Sequence, residues 1–536
     1  MRRDSSRMSK SLKSISVYLA FFLIIVLLFT LKTNYFVDEL WSYGLANNDD
    51  SHIMLVESGK TYENPEEPFL EWMTVKKGHR FDYAKVWENQ RNDNHPILFY
   101  TLLHTICSFF PGQFSKWFGA AINLVFAMVL LFYLRKLIYL LTHSRKMQAI
   151  LSVGFILMYG VVNAMVFIRM YVMMMCWGVM LCYFALRLVD KVMGRSGPED
   201  LADHPLWYHL FRMFAVSVFA ALTQFYCIIF IVALAIGVFG YLLSQRQWKP
   251  ALAFLGTEVA AALMSLAIFP SMIEMAFRKD RGEQSVSNLK EPTGDLHNLH
   301  LFLKFINDEM FGGLLALCLG AILVTLLFYF FDLKSKGTLS VSWMYYIVLS
   351  VPVAIYLLVV GITSPMQMNR YMYMLYPIVY VMVFSLMTTL FAYLFQGRKK
   401  LVPMLVGTLL SICLICSYVL GSDTHFEYLY RDFPAKQKVA QKYKNLNAIC
   451  IYNYHFQRMA IYEEAKNYKS ITFLKANERN KLKDLEIMND EKLILLALCE
   501  QPGDDFIGSI SRNNPNIKKG VELFDNFEVC HTYLLY

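Results

Sequence analysis

Apolar runs of about 20 residues, the length a helix needs to cross the hydrocarbon of a bilayer, recur along this 536-residue chain from residue 15 to residue 420. They cover 15–31, 117–134, 149–167, 170–186, 210–225, 226–243, 251–270, 312–331, 341–362, 371–395 and 401–420. A single soluble core has no room for so many. Hydrophobic residues make up 56% of the chain and charged ones only 17%, against about 25% charged in soluble domains. The pattern excludes a cytosolic enzyme, a disulfide-stapled secreted domain and a disordered chain. It predicts a polytopic α-helical membrane protein with eleven transmembrane helices.

Charge decides the side of each loop. Pro96–Phe110 is apolar but only 15 residues long, bounded by His95-Pro96 and Pro111-Gly112. If it crossed, the basic clusters Arg135/Lys136/Arg145/Lys146, Arg187/Lys191/Arg195, Arg246/Lys249, Lys334/Lys336 and Arg398/Lys399/Lys400 would face away from the basic N-terminus. Laid along the outer interface, it puts every cluster on the same side as residues 1–14, as the bias of positive charge toward the cytoplasm requires. The N-terminus is then cytoplasmic, and the first run, which lacks a small-residue cleavage site, reads as a retained anchor. The expected organisation is a cytoplasmic tail (1–14), a transmembrane domain (15–420) and an extracytoplasmic soluble domain (421–536). The transmembrane domain carries outer loops at 32–95 and 271–311, with an interfacial helix at 96–110. In the soluble domain, 448–454, 470–474 and 493–499 read as short buried strands of a small α/β fold. The short inner connections and modest size suggest a bacterial cell membrane.

The net charge of +9 does not point to nucleic acid, because the basic residues lie between apolar runs. Seven of the ten cysteines lie in or beside apolar runs, including the Cys413-Leu414-Ile415-Cys416 spacing. Only Cys450, Cys499 and Cys530 fall in the polar C-terminal region, so a zinc or redox motif is not expected.

Candidate chemistry sits at the ends of the runs. Asp38-Glu39 follows the first run among aromatic residues, where partial desolvation would raise a carboxylate's pKa and improve it as a general base. Asn92-Asp93-Asn94-His95-Pro96 closes the first outer loop and brings an imidazole to the headgroup level. Arg169 and Arg370 each lie at an outer run end, where a guanidinium is costly unless paired and can hold a phosphate bidentately. Glu258, nearer the opposite face, reads as a structural group paired to a neighbouring helix.

In order and spacing, these residues resemble the GT-C superfamily of integral-membrane glycosyltransferases, in the polyprenyl-phosphate-sugar-dependent branch of protein O-mannosyltransferases and lipid A aminoarabinose transferases. Asp38-Glu39 and His95-Pro96-Ile97-Leu98-Phe99-Tyr100 are similar to the acidic pair and the His-Pro step of that branch. Arg169-Met170-Tyr171, Thr223-Gln224-Phe225-Tyr226 and Asn369-Arg370-Tyr371 with Pro377 beyond are similar to its later motifs. The resemblance covers residues 15–395. It implies transfer of a sugar, with inversion, from a polyprenyl-phosphate donor to an acceptor hydroxyl on a glycan, lipid or protein at the external face. Asp38, Glu39 and His95 would be catalytic, with Asp38 the base. Asp93, Arg169, Tyr171, Gln224, Tyr226, Arg370 and Tyr371 would bind substrate.

Two departures bear on metal use. Phe167 stands where the branch carries a second glutamate, for which Asp93 is a substitute, and Gln224 stands where it carries a histidine. A divalent metal and a metal-free site relying on arginine are both compatible with these residues. A transporter or flippase of lipid-linked sugars is the alternative reading, and a non-catalytic surface sensor a third. In cysteine-labelling experiments, positions 38 and 370 are expected to react from the same side of the membrane. Labelling from opposite compartments would remove the shared site.

Overall fold

The computed structural model describes the chain except residues 1, 196–203, 278–279, 291–294, 332–341, 396–397, 399, 422–432, 499–502 and 527–529, with backbone alone for 2–14, 280, 295–297, 329–331, 503–505 and 525–526. Lys334, Lys336, Lys399 and Cys499, named above, lie outside the described residues, as do the first residue of the run at 341 and the end of the strand expected at 493–499. The chain divides into two compact units: residues 1–30, 94–99 and 120–426, and residues 31–93, 100–119 and 427–536. This division differs from the boundaries drawn on the sequence, because the first long loop folds with the C-terminal segment.

The first unit is helical. Among the described residues, seven helices are long and apolar enough to cross a membrane, and nine if each sharply bent pair counts as one span. The expected runs at 15–31 and 210–225 fall on shorter apolar helices, Ile15–Leu31 and Leu206–Ala221. Leu98–Phe109 is a third short apolar helix, at the place expected for the interfacial segment.

Several runs are not the straight helices their composition suggests. The run at 149–167 belongs to two helices, Arg145–Leu157 and Tyr159–Val166, bent by 61°. The one at 312–331 begins only at Leu315, after an 84° bend from the helix Asn298–Phe311. The one at 371–395 begins as a 3-10 turn, Asn369–Met372, and becomes helix only at Tyr376–Leu394. Hydropathy is blind to these breaks because the residues at them are nearly all apolar. The helix Asn298–Phe311 stops at Gly312-Gly313, whose φ of 58° and 79° lie in the region that favours glycine.

The second unit carries a six-stranded sheet of β1 (Thr61–Tyr62), β2 (Asn447–Tyr452), β3 (Ser470–Lys475), β4 (Leu493–Leu498), β5 (Gly520–Asn526) and β6 (Cys530–Leu535). The strand order is β1-β3-β2-β4-β6-β5. β2 pairs in parallel with both β3 and β4, and the remaining pairings are antiparallel. The central strands are buried along nearly all their length, which is why they read as continuous apolar runs. β5 and β6 mix polar residues such as Glu522, His531 and Thr532 with apolar ones and lie outside the strands expected from the sequence. β1 comes from the first long loop, and Thr61 Oγ1 lies 2.8 Å from Thr472 Oγ1 on β3.

A buried ion pair ties the start of that loop. Lys32 Nζ lies 2.9 Å from Glu39 Oε2, both side chains having no exposure. The same carboxylate accepts the Phe36 N–H at 2.7 Å, capping the helix Val37–Asn47. Burial pulls the Lys32 ammonium below its ordinary pKa, with Glu39 and then Glu463 opposing. Burial also raises the Glu463 carboxyl, with Lys466 and Lys32 opposing. C-terminal segment and first loop thus share one electrostatic cluster. Removing one member of a buried pair strands the other's charge. Lys32→Met is therefore expected to lower unfolding stability by roughly 3–5 kcal/mol. Lys32→Met with Glu39→Gln should recover much of that loss in thermal unfolding in detergent, since the amide oxygen still caps the helix.

Candidate functional site

Five segments of the helical unit supply the site or its support, four where one helix stops or the next starts and the fifth a helix itself. At residues 165–171 the chain leaves one helix and enters the next, and Asn123 Nδ2 donates to Met165 O (3.0 Å) and Phe167 O (2.7 Å). Carbonyls freed by a break in an apolar environment need such a donor. The turn lifts Arg169 out of helical register, and the Phe167 and Tyr171 rings stack at 5.5 Å across it. At 222–226, Gln224 caps the helix Phe225–Ser244, its Oε1 accepting the Phe225 N–H at 2.7 Å. Thr223 Oγ1 in the same turn accepts from Trp177 Nε1 at 2.9 Å. The Leu98 N–H donates to Leu222 O at 2.9 Å, which fastens the His95-Pro96 step to this turn.

The fourth segment is the 3-10 turn Asn369–Met372, where Tyr356 Oη donates to Tyr371 O at 2.7 Å. It packs Tyr371 against Tyr226 with ring centroids 4.7 Å apart. The fifth is the helix Asp280–Lys290, whose Arg281, Ser285 and Leu289 follow the four-residue spacing of one helix face.

A cavity of about 320 Å³ forms among these segments. His95, Gln224, Tyr226 and Tyr371 line it, joined by Arg281, Ser285 and Pro365. Arg281 Nη1 donates to Tyr371 Oη at 3.2 Å. Among the described residues no carboxylate lines the cavity. Its polar character is therefore cationic and neutral, which suits an anion.

Arg169, Tyr171 and Arg370 are not on that wall. Arg169 is buried behind it, and its Nη2 lies 3.1 Å from His95 Nε2. A guanidinium only donates, so Nε2 accepts and the proton of the neutral imidazole sits on Nδ1. The Arg370 guanidinium lies 5.9 Å from the Phe167 ring centroid. Phe167, which replaces the glutamate of the resembled motif, thus offers an aromatic face to a cation.

A carboxylate does occur beside the Asn369–Met372 turn: Glu309, buried, accepts from Asn369 Nδ2 at 2.9 Å. Its room depends on Gly160, where a Cβ would stand 2.8 Å from Glu309 Oε2 and 2.5 Å from the Tyr376 ring. Sequence reasoning missed both Glu309 and Arg281, because residues 271–311 read only as an outer loop. The spacing of Arg281, Ser285 and Leu289 was the signal available for one; nothing local marks Glu309.

The remaining expected residues belong to the sheet-bearing unit. Asp38 is half-buried in the first turn of the helix Val37–Asn47, its carbonyl accepting from Ser42 Oγ at 3.0 Å. Glu39 is committed to Lys32 and the Phe36 N–H, which suits it to fixing that helix start. Asp93 is half-buried, its N–H donating to Gln90 O at 3.1 Å. Among the described residues no three His, Cys, Asp or Glu side chains are grouped to hold a metal ion.

A second, larger cavity of about 520 Å³ is walled by apolar residues of the helices Leu206–Ala221, Phe225–Ser244, Trp248–Ile268 and Met272–Phe277. It shares Ile228, Ala276 and Phe277 with the polar cavity. Glu258 on its wall accepts from Ser217 Oγ at 2.7 Å, pairing two helices as its sequence position suggested.

No known family profile and no curated protein matches the sequence. Among solved structures, the chain is similar to ArnT from Cupriavidus metallidurans bound to undecaprenyl phosphate, with TM-score 0.49 and 10% identity over 97% of this chain and 98% of that one. The apo form of the same protein gives TM-score 0.47 at 9% identity, covering 97% and 98%. The archaeal oligosaccharyltransferase AglB from Archaeoglobus fulgidus, in complex with an inhibitory peptide and a dolichol-phosphate, gives 0.43 at 10% identity, covering 93% and 71%.

The turn that carries Arg169 depends on Asn123. Asn123→Ala leaves two buried carbonyls without their donor and is expected to lower stability by about 1–3 kcal/mol, measured by thermal unfolding in detergent. Asn123→Asp, which loses the amide donor but keeps the size, should not restore it.

Proposed function

We propose that the protein is a membrane glycosyltransferase that moves a sugar from a polyprenyl-phosphate donor to an acceptor hydroxyl at the external face of the membrane. The observation that carries this reading is a cationic cavity, free of carboxylates among the described residues, that shares the wall residues Ile228, Ala276 and Phe277 with an apolar one. A phosphate attached to a long apolar chain is the ligand chemistry that fits both. Its charge would meet Arg281 and the Arg169–His95 pair, while the first units of its chain would enter the apolar cavity.

In the proposed reaction the acceptor oxygen attacks the anomeric carbon and the bond from that carbon to the phosphate oxygen breaks. The lipid phosphate leaves with the bonding electrons, and the acceptor's proton goes to Asp38. Stabilising charge on the leaving phosphate is the main electrostatic task. Arg281 serves it directly. Arg169 does so through His95, whose Nε2 accepts from it and whose neutral imidazole carries its proton at Nδ1. Gln224, Tyr226 and Tyr371 offer hydrogen bonds to sugar or phosphate oxygens, Tyr171 and Arg370 support the wall from behind, and Glu39 holds Asp38's helix in place.

Asp38→Asn is expected to reduce transfer from polyprenyl-phosphate sugars by at least about 100-fold, with expression and membrane insertion unchanged. Near-normal turnover would refute the base assignment. Arg281→Ala should lower kcat and kcat/KM for the donor by at least about tenfold, because charge stabilisation of the leaving phosphate is lost. Lipid movement across reconstituted vesicles with no sugar transfer would favour a flippase instead.

A further inference from the structure

We propose that the loop after β2 in the sheet-bearing unit, Asn453 to Phe456, is a carbohydrate-binding platform. The parallel core of the sheet has the order β3-β2-β4, so the chain leaves β2 to one side for β3 and returns to the other for β4. Tyr452, Lys475 and Leu498 are in register, which brings the carboxyl ends of the three strands level. Open α/β sheets bind ligands outside the carboxyl ends of their strands where the winding reverses. The loop 453–456 stands at that place.

Four successive residues there, Asn453, Tyr454, His455 and Phe456, are exposed. The Tyr454 and Phe456 rings are 56% exposed each and nearly parallel, with an interplanar angle of 11° and centroids 5.7 Å apart. Exposed aromatic rings on a loose loop would be unremarked, but this loop is fixed from beneath by two buried side chains. Gln457 Oε1 accepts the N–H groups of Tyr454 (3.0 Å) and Asn453 (3.3 Å). Arg458 donates to His455 O and His455 Nδ1, at 3.2 and 2.9 Å, and to Met54 O. Burying an arginine to hold a loop that exposes two rings makes sense when the rings must be ready for a ligand, because pre-ordering removes an entropic cost of binding.

The chemistry of the loop selects a sugar. Aromatic faces are electron-rich and attract the polarised C–H bonds on one face of a pyranose. Sugar hydroxyls around the ring edge need both donors and acceptors. Asn453 offers both, and His455, whose Nδ1 accepts from Arg458, keeps its Nε2–H as a donor. Burial, then the charges of Arg458 and Lys475, hold His455 below its ordinary pKa and so neutral. Identifying this sugar as part of the acceptor rests on the proposed function; binding itself does not.

The test uses the full chain in nanodiscs and reads saturation-transfer NMR and titration with mannotriose, maltotriose and chitotriose, without transfer. At least one is expected to bind, with affinity about tenfold weaker in Tyr454→Ala/Phe456→Ala, the scale of two lost aromatic contacts. Tyr454→Trp should retain binding. Absence of binding by all three, or equal binding by the double variant, overturns the proposal, as does brominated-lipid quenching in Tyr454→Trp that exceeds the quenching of the chain's own eight tryptophans, which would place the loop in the bilayer. If glycan binds but Asp38→Asn leaves turnover intact, the platform stands and the catalytic reading falls.

Discussion

Backbone that leaves helical geometry among apolar side chains has to find its hydrogen bonds within the protein, and the helical unit is organised around the places where it does so. Asn123 serves the turn at 165–171, Gln224 caps the helix that follows its own turn, Leu98 reaches Leu222, and Tyr356 holds the carbonyl of Tyr371. Each solution also aims a side chain. Arg169 and Gln224 sit at such breaks and Tyr371 on a 3-10 turn, whereas in mid-helix they would point along a regular face. The polar cavity is thus a product of interrupted helices, and its stability rests in part on Asn123, Leu98 and Tyr356, which do not line it.

Charge within the same unit is arranged in layers. Arg281 is on the cavity wall and Arg169 behind it, in contact with His95. Arg370 is also off the wall, near an aromatic face, and its neighbour Asn369 is held by Glu309. A buried guanidinium pays for its desolvation only through such partners. Glu309 therefore belongs to the support of the Asn369–Met372 turn, and Gly160 is small because that carboxylate needs the space.

The second unit joins distant parts of the chain. Two residues of the first long loop extend a sheet whose other strands come from the C-terminal segment, and Lys32, Glu39 and Glu463 share buried charge. Asp38 follows directly after a helix start held by that pair. The C-terminal segment is accordingly part of what fixes the proposed base, besides presenting the loop 453–456.

Read alone, the sequence determined the membrane class, the number of apolar runs, the three central strands and the motif positions His95, Gln224, Tyr226 and Tyr371. These are encoded by local composition and by residues adjacent in the chain: apolar length sets helices that can cross, and an unbroken Val/Ile/Leu run sets a buried strand. Tertiary structure alone decided that the turn at 165–171 is held by Asn123, that Arg281 enters the cavity while Arg169 and Arg370 stay off its wall, that Glu309 is the carboxylate beside Asn369, and that residues 61–62 complete a sheet begun near residue 447. The reason is that each of these rests on a hydrogen bond or charge contact between residues tens to hundreds of positions apart, and such a contact leaves no periodic trace in either partner's local sequence.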